Sequence, residues 1–182
     1  MKTMDEQLSM VVDAALLVNV AVGIADGEWT RKEANAIRGA FERIVATSRS
    51  HMIRDALMYY HDRENDWLQL SCSPQVIHTA MRELTSAARA KVGTPEKARK
   101  FYKPVAEAVG TMLSKHLPAE QMRVVGLVWY VGLATASADG PFFGEKVSDE
   151  ERAVIDSCAS DLAIAAGTNL RECLEFINTR KG

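Results

Sequence analysis

Val-Ala-Val-Gly-Ile-Ala-Asp-Gly-Glu-Trp-Thr-Arg-Lys-Glu, at residues 20–33, has a counterpart at residues 133–151: Leu-Ala-Thr-Ala-Ser-Ala-Asp-Gly, five further residues, then Lys-Val-Ser-Asp-Glu-Glu. In both copies an apolar run ends in Ala-Asp-Gly, and a hydroxyl residue follows with a Glu three positions later. Thr30 with Glu33, and Ser148 with Glu151, have the spacing of a capping box at a helix start. The repeat therefore predicts one helix-loop-helix unit that is used twice.

The rest of the chain also carries helix signals. Apolar residues recur at helical spacing over residues 50–61, and Pro104 is expected either to kink or to divide a helix. The predicted helix starts elsewhere are Ser73-Pro74, Thr94-Pro95, Leu117-Pro118 and Asn169 with Glu172. We therefore predict an all-α fold over residues 1–182: a single compact bundle of seven to nine helices with two pseudo-repeated helix-loop-helix halves.

Two long apolar runs, at residues 8–25 and 122–138, resemble membrane spans but fall short of about 20 clean apolar residues. Helices that are apolar nearly all round are otherwise buried at the centre of a bundle. We therefore expect two central antiparallel helices. The alternative is contact with a membrane.

Composition is that of an ordinary globular domain, with 47% hydrophobic residues, 25% charged residues and a net charge of −2. This charge does not favour binding to nucleic acid. Asp5 and Glu6 follow Lys2 closely, unlike the basic-then-apolar order of a signal peptide. Cys72, Cys158 and Cys173 have no metal-ligand spacing, so we expect reduced thiols in a cytoplasmic protein.

Asp26 and Asp139 are each predicted to end a long apolar helix, next to a glycine in the left-handed position that follows a helix. Each carboxylate then lies at the negative end of a helix dipole, which is unfavourable. A divalent cation such as Ca²⁺ or Mg²⁺ would offset this, with Glu33 and Glu151 as further oxygen ligands. In the alternative, both glutamates serve the capping boxes and the aspartates form turns. An EF-hand is excluded because Val22 and Ile24 occupy its first and third ligand positions.

Signatures of enzymes are absent from the sequence: it has no HExxH, CxxC, GxSxG or phosphate-binding glycine loop. The four histidines are scattered, so we predict no catalytic residues and no organic cofactor. Residues 91–103 combine basic and aromatic side chains, and we interpret them as a solvated helix face. Phe142 and Phe143 either contact a partner protein or fold back on the bundle.

The repeated motifs at 25–33 and 138–151 resemble those of the TerB family of tellurite-resistance proteins. The resemblance implies a helical domain with two related halves, and metal-binding acidic residues near the loops between helices. The matching positions are Asp26, Glu33, Asp139 and Glu151. The second copy departs from the pattern in its five-residue insertion and in Lys146, which stands where Glu28 stands in the first copy.

The resemblance also implies a role in the response to tellurite and other chemical stress. It implies a cytoplasmic protein that works with other Ter-type proteins, some of them membrane-associated, and that visits the inner membrane surface. Our first hypothesis is a non-enzymatic cation-binding protein of a stress-resistance system. The alternative hypothesis is a protein-interaction scaffold without a metal, in which the acidic residues only cap helices.

Overall fold

All regular secondary structure in the described part of the chain is α-helical, which confirms the predicted fold class. The computed structural model describes residues 3–27, 36, 39–40, 43, 48–62, 82–83, 85–87, 89–90, 93–138 and 147–179, with the backbone alone for 59–62. The helices are α1 (Met4–Asp26), α2 (His51–Asp62), α3 (Pro95–Leu113), α4 (Pro118–Ala136), α5 (Asp149–Ala166) and α6 (Leu170–Thr179). Helical residues also occur between 36 and 43 and between 82 and 90.

Four of the described helices, α1, α2, α5 and α6, begin with a side-chain cap. The predicted box at α5 is confirmed, because Ser148 accepts a hydrogen bond from Glu151 N and Glu151 accepts one from Ser148 N. Asn169 Oδ1 accepts from Glu172 N at 2.9 Å, which confirms the predicted start of α6. At α1 the same box is formed by Thr3 and Glu6, which the sequence analysis missed. The predicted caps at Thr30 with Glu33 and at Ser73-Pro74 lie outside the described residues.

Pro104 lies within α3, which continues without a break from Pro95 to Leu113. The prediction that Pro104 divides this segment into two helices is therefore wrong. Proline removes one N–H from the helix ladder, but Pro104 is exposed, so water can reach the backbone groups around it. Phe101 and Tyr102, just before it, pack against the core, so the solvated face of residues 91–103 does not include these two aromatic side chains.

Helix α3 runs antiparallel to α1. Thr94 N, before the first turn of α3, donates to Ile24 O near the end of α1 at 3.1 Å. Further along α3, Tyr102 Oη donates to Ala14 O in the middle of α1 at 2.8 Å. Moving forward along α3 therefore means moving backward along α1.

Helix α4 runs in the same direction as α1, and the prediction of two antiparallel central helices is wrong. The chain crosses the bundle along α3, so α4 begins where α3 ends, near the start of α1. The C-terminal halves of the two helices then meet, and Asn19 Nδ2 of α1 donates to Thr135 Oγ1 of α4 at 2.9 Å. A Cβ on Gly132 of α4 would likewise lie 3.4 Å from Val18 Cγ2.

Helix α5 runs alongside α3, since Gly110 near the end of α3 packs directly on Ala165 near the end of α5. The bundle thus has two distinct ends. The loop end contains the last residues of α1 and α4 and the first residues of α3 and α5. The hinge end contains the first residues of α1 and α4, the last residues of α3 and α5, and Gly167, which follows α5.

Helix α1 is the central helix and packs against α2, α3, α4 and α5. By length and composition it could cross a membrane, but 83% of its most apolar 18-residue window is buried inside the protein. This burial is expected of a helix at the centre of a bundle. Cys158 and Cys173 are buried free thiols, as predicted, whereas Cys72 lies outside the described residues.

Polar contacts join the helices at the surface. Trp129 Nε1 of α4 donates to Asp156 Oδ1 of α5 at 2.8 Å, and the guanidinium of Arg152 lies 5.0 Å from the Trp129 ring centroid. Ser50 Oγ accepts a hydrogen bond from Ile53 N at the start of α2 and also contacts Glu120 Oε2 of α4. These contacts fix the rotation of α2 and α5 about α4.

Gly110 allows a close backbone contact between α3 and α5. A Cβ at this position would lie 2.3 Å from Ala165 Cβ and 2.8 Å from the Ala165 carbonyl carbon. We expect Gly110→Ala to lower the free energy of unfolding by about 1–3 kcal/mol, because the helices must move apart. Chemical denaturation measures this change.

Gly39→Ala is the matched control. Gly39 is also helical, and among the described residues a Cβ there would meet only the end of the Arg43 side chain, at 3.8 Å. Alanine has the higher helix propensity, so this variant should be as stable as the wild type or more stable by up to about 1 kcal/mol. Equal destabilisation by both substitutions would contradict the close contact at Gly110.

Candidate metal centre

The first Ala-Asp-Gly motif forms the end of α1. Asp26 is the last helical residue and is exposed, and Gly27 adopts the left-handed conformation with φ 81°. Gly27 N donates to Gly23 O at 3.2 Å, which closes the last turn. The predicted glycine C-cap is confirmed here. The last turn of α1 contains no basic residue, and the carboxylate of Asp26 lies at the negative end of the helix dipole.

The start of α3 covers this end of α1. A Cβ on Gly93 would lie 2.0 Å from Ala25 O and 2.9 Å from Asp26 Cα, so only glycine fits without a shift of the backbone. The N–H of the next residue, Thr94, donates a hydrogen bond to Ile24 O. Its hydroxyl oxygen is buried and has no hydrogen-bond partner among the residues that the structure describes. The sequence shows Gly93 only as the end of a helix, so this contact could not have been predicted from it.

The second motif has a different geometry. Helix α4 ends at Ala136 rather than at Asp139, and Ser137 follows with φ −88° and ψ 0°. Ser137 Oγ donates back to Leu133 O at 2.8 Å and Ala138 N donates to Thr135 O at 2.9 Å, so the chain leaves the helix in a tight turn. The prediction that the second aspartate closes its helix is therefore wrong. Asp139 itself lies outside the described residues.

Glu151 performs the capping role that the sequence predicts for it. Its Oε2 accepts a hydrogen bond from Ser148 N at 2.8 Å, and the side chain is buried. A cation at this residue would therefore have to share the carboxylate with the helix cap. Asp149 and Glu150, in the same first turn, are exposed. Acidic residues in a first turn are stabilised by the helix dipole and need no metal.

Of the four predicted metal ligands, Asp26 and Glu151 are described and both lie at the loop end of the bundle. Glu33 lies outside the described residues, as do Asp139, Glu28 and the Phe142-Phe143 insertion. The described residues contain no group of three or more His, Cys, Asp or Glu side chains placed to hold a metal ion. A complete site therefore requires ligands from the segments that follow Gly27 and Ala138.

Titratable groups also meet in the core, where α1, α3 and α5 join. Burial raises the pKa of Tyr102 well above its usual value, and nearby Cys158 and Asp13 raise it further. Burial, followed by the charge of Asp161, raises the pKa of Cys158. Both groups stay neutral at physiological pH, and neither is exposed to solvent. A substrate cannot reach them, so we assign them to packing.

The capping role of Glu151 can be separated from its charge. Ser148→Ala removes the oxygen that accepts from Glu151 N at 3.1 Å, and we expect a loss of about 1 kcal/mol in the free energy of unfolding. Glu151→Gln keeps an oxygen that can accept from Ser148 N, so its cost should be below about 0.5 kcal/mol. Thermal denaturation of the two variants compares them. A larger loss for Glu151→Gln than for Ser148→Ala would mean that the charge has a role beyond the cap.

Comparisons with other proteins give no family for this chain. It matches no family model, no curated protein and no solved structure. Its function must therefore be inferred from its own residues and from the positions that the fold gives them.

Proposed function

We propose that this protein is a non-enzymatic, TerB-like stress-response protein that binds a divalent cation at the loop end of its helical bundle. The proposed ligands are Asp26 and Glu33 from the first motif, and Asp139 and Glu151 from the second. The observation that carries the proposal is the shared direction of α1 and α4. Because both helices end at the loop end, both Asp-Gly loops start there, beside the first turn of α5.

Electrostatics at Asp26 support this proposal. An exposed carboxylate at the end of a 23-residue helix lies close to carbonyl groups that carry the negative partial charge of the dipole. A bound cation would offset the repulsion between the carboxylate and the helix end, because it attracts both. Carboxylate oxygens are the ligands that Ca²⁺ and Mg²⁺ prefer.

Thr94 offers a further oxygen at the same place. Its hydroxyl is buried and has no hydrogen-bond partner among the described residues, although a buried polar group ordinarily costs about 1–3 kcal/mol when it is not hydrogen-bonded. The segment that carries it is in direct contact with the backbone of Asp26 through Gly93. A neutral hydroxyl is an oxygen ligand of the kind that a hard cation accepts. Sequence patterns did not indicate this residue as a ligand.

The cellular role rests on the resemblance to the TerB family. In that role the protein acts in the cytoplasm, with other Ter-type proteins as partners at or near the inner membrane. It requires no organic cofactor and no nucleic acid. Cation binding at the loop end would then change the charge of the surface that faces a partner.

A protein-interaction scaffold without a metal is the second candidate. Two observations favour it: Glu151 already serves a helix cap, and α4 ends before it reaches Asp139. The acidic residues would then be helix caps and turn residues only. Partners would dock on the loops, including the segment with Phe142 and Phe143.

Calorimetric titration with Ca²⁺, Mg²⁺, Mn²⁺ and Zn²⁺ distinguishes the two candidates. We expect binding heat with at least one of these cations, and at a hundredfold excess over Kd a stabilisation of about 2.7 kcal/mol. The melting temperature should then rise by roughly 5–10 °C. Asp26→Asn and Asp139→Asn should each weaken binding about tenfold or more, because each removes one of few charged ligands.

Asp5→Asn is the matched control, since Asp5 lies in the first turn of the same helix α1, at the opposite end of the bundle. It should leave cation affinity unchanged. Thr94→Val tests the additional ligand and should weaken binding without abolishing it. If none of the four cations produces binding heat or a shift in melting temperature, the cation proposal is contradicted and the scaffold is the candidate that stands. An equal loss of affinity in Asp5→Asn would show that binding depends on general charge alone.

A further inference from the structure

We propose that the C-terminal helix α6 is exchanged between two copies of this chain, with Gly167 as the hinge, to form a swapped dimer. The partner is therefore a second copy of the same protein. The inference rests on four features: the hinge, the apolar pattern of α5 and α6, the site where α6 packs on α4, and the exposed surface near the hinge. It is independent of cation binding.

The hinge between α5 and α6 consists of residues 167–169 and depends on one glycine. Gly167 has φ 85°, and its N–H bonds to Ile164 O, while Thr168 N bonds to Ala163 O. A left-handed residue is what stops α5 here and turns the chain back along the bundle. A Cβ on Gly167 would meet nothing within 4 Å among the described residues, so a side chain at this position has room in either conformation of the hinge. If this residue became helical, α5 and α6 would join into one long helix.

The apolar residues of α6 continue the stripe of α5 in phase across the hinge. Their spacing of three or four residues is the spacing of a single amphipathic helix. They are Ile155, Ala159, Leu162, Ala166, Leu170, Cys173 and Ile177, of which the first four and Cys173 are buried and Leu170 packs against the core. A joined helix would thus have one continuous apolar face. Its α6 half would extend past the hinge end, where its own chain cannot cover it.

Helix α6 packs on α4 at a specific site formed by Arg123 and Gly126, which we call the seat of α6. Ile177 lies directly on Gly126, where a Cβ would be 1.8 Å from Ile177 Cδ1. Next to it, the guanidinium of Arg123 lies 5.7 Å from the ring centroid of Phe176. An extended α6 leaves this seat empty in its own chain. The α6 of a second copy then fits the seat of the first by the same contacts, so the exchange conserves them.

The surface around the hinge also favours a second copy. Leu117 and Ile164 are 74% and 69% exposed, and Met4, at the start of α1, is 62% exposed. All three lie at the hinge end. Leu117 occupies the N-cap position of α4 without making a cap hydrogen bond, although Ser, Thr, Asp and Asn are preferred there. Two copies that exchange α6 must meet at their hinge ends, which covers these side chains.

The test compares Gly167→Ala with Gly167→Asn. Alanine disfavours the left-handed conformation and favours a helix, whereas asparagine tolerates the left-handed conformation. Each substitution adds a side chain in open space. We expect Gly167→Ala to lower the dissociation constant of the dimer about a hundredfold relative to Gly167→Asn, roughly tenfold for each of the two hinges. Sedimentation equilibrium over a concentration series measures both constants.

The exchange of α6 is tested in the Gly167→Ala background. Adding Ile177→Asp should return the protein to a monomer of 20.0 kDa, because a charge cannot enter the seat on Gly126. Adding Asn178→Asp places the same charge on the exposed side of α6 and should leave the dimer intact. A dimer that persists with Ile177→Asp would overturn the proposal. So would equal dissociation constants for the alanine and asparagine variants.

If Gly167→Ala does not fold, a second variant tests the same hinge without strain at Gly167. Thr168→Ala with Asn169→Ala removes the cap on Glu172 N and raises the helix propensity of the hinge. It should strengthen the dimer relative to the wild type. A monomeric double variant at millimolar concentration would contradict the proposal.

Discussion

The contact between Gly93 and the end of α1 is the constraint on which the described architecture depends. Because Gly93 has no side chain, the backbone before α3 can lie against the carbonyl of Ala25, and Thr94 can bond to Ile24 O. This contact covers the end of α1 and also determines where α3 begins. Helix α3 must then return along α1, so α4 starts at the far end and runs in the direction of α1. The positions of both Asp-Gly loops follow from this order.

The sequence predicted those features that are encoded locally. The cap at Ser148, the cap at Asn169, the left-handed Gly27 and the buried apolar runs all depend on residues within one turn of each other. Short motifs of this kind have few alternative conformations, so the pattern is sufficient. The Thr3 and Glu6 box is equally local and could have been found by the same rule.

The features that the sequence missed depend on contacts between distant residues. The direction of α4 relative to α1 is fixed by contacts such as that between Asn19 and Thr135, and helical periodicity carries no information about direction. The early end of α4 depends on the bond from Ser137 Oγ to Leu133 O, which competes with continuation of the helix. Glu151 shows a different limit: the carboxylate that would bind a cation is also the one that caps a helix.

The two proposed activities use opposite ends of the bundle. The candidate ligands Asp26 and Glu151 lie at the loop end, whereas the exposed apolar side chains and the glycine hinge lie at the hinge end. In the swapped dimer the copies face each other through their hinge ends, so the loop ends point outward. The seat of α6, at Arg123 and Gly126, is in the half of α4 that lies nearer the hinge end. Exchange of α6 therefore leaves the candidate metal centre unchanged in each copy. The dimer then carries two such centres, and two linked sites bind more strongly to a surface that carries several partners.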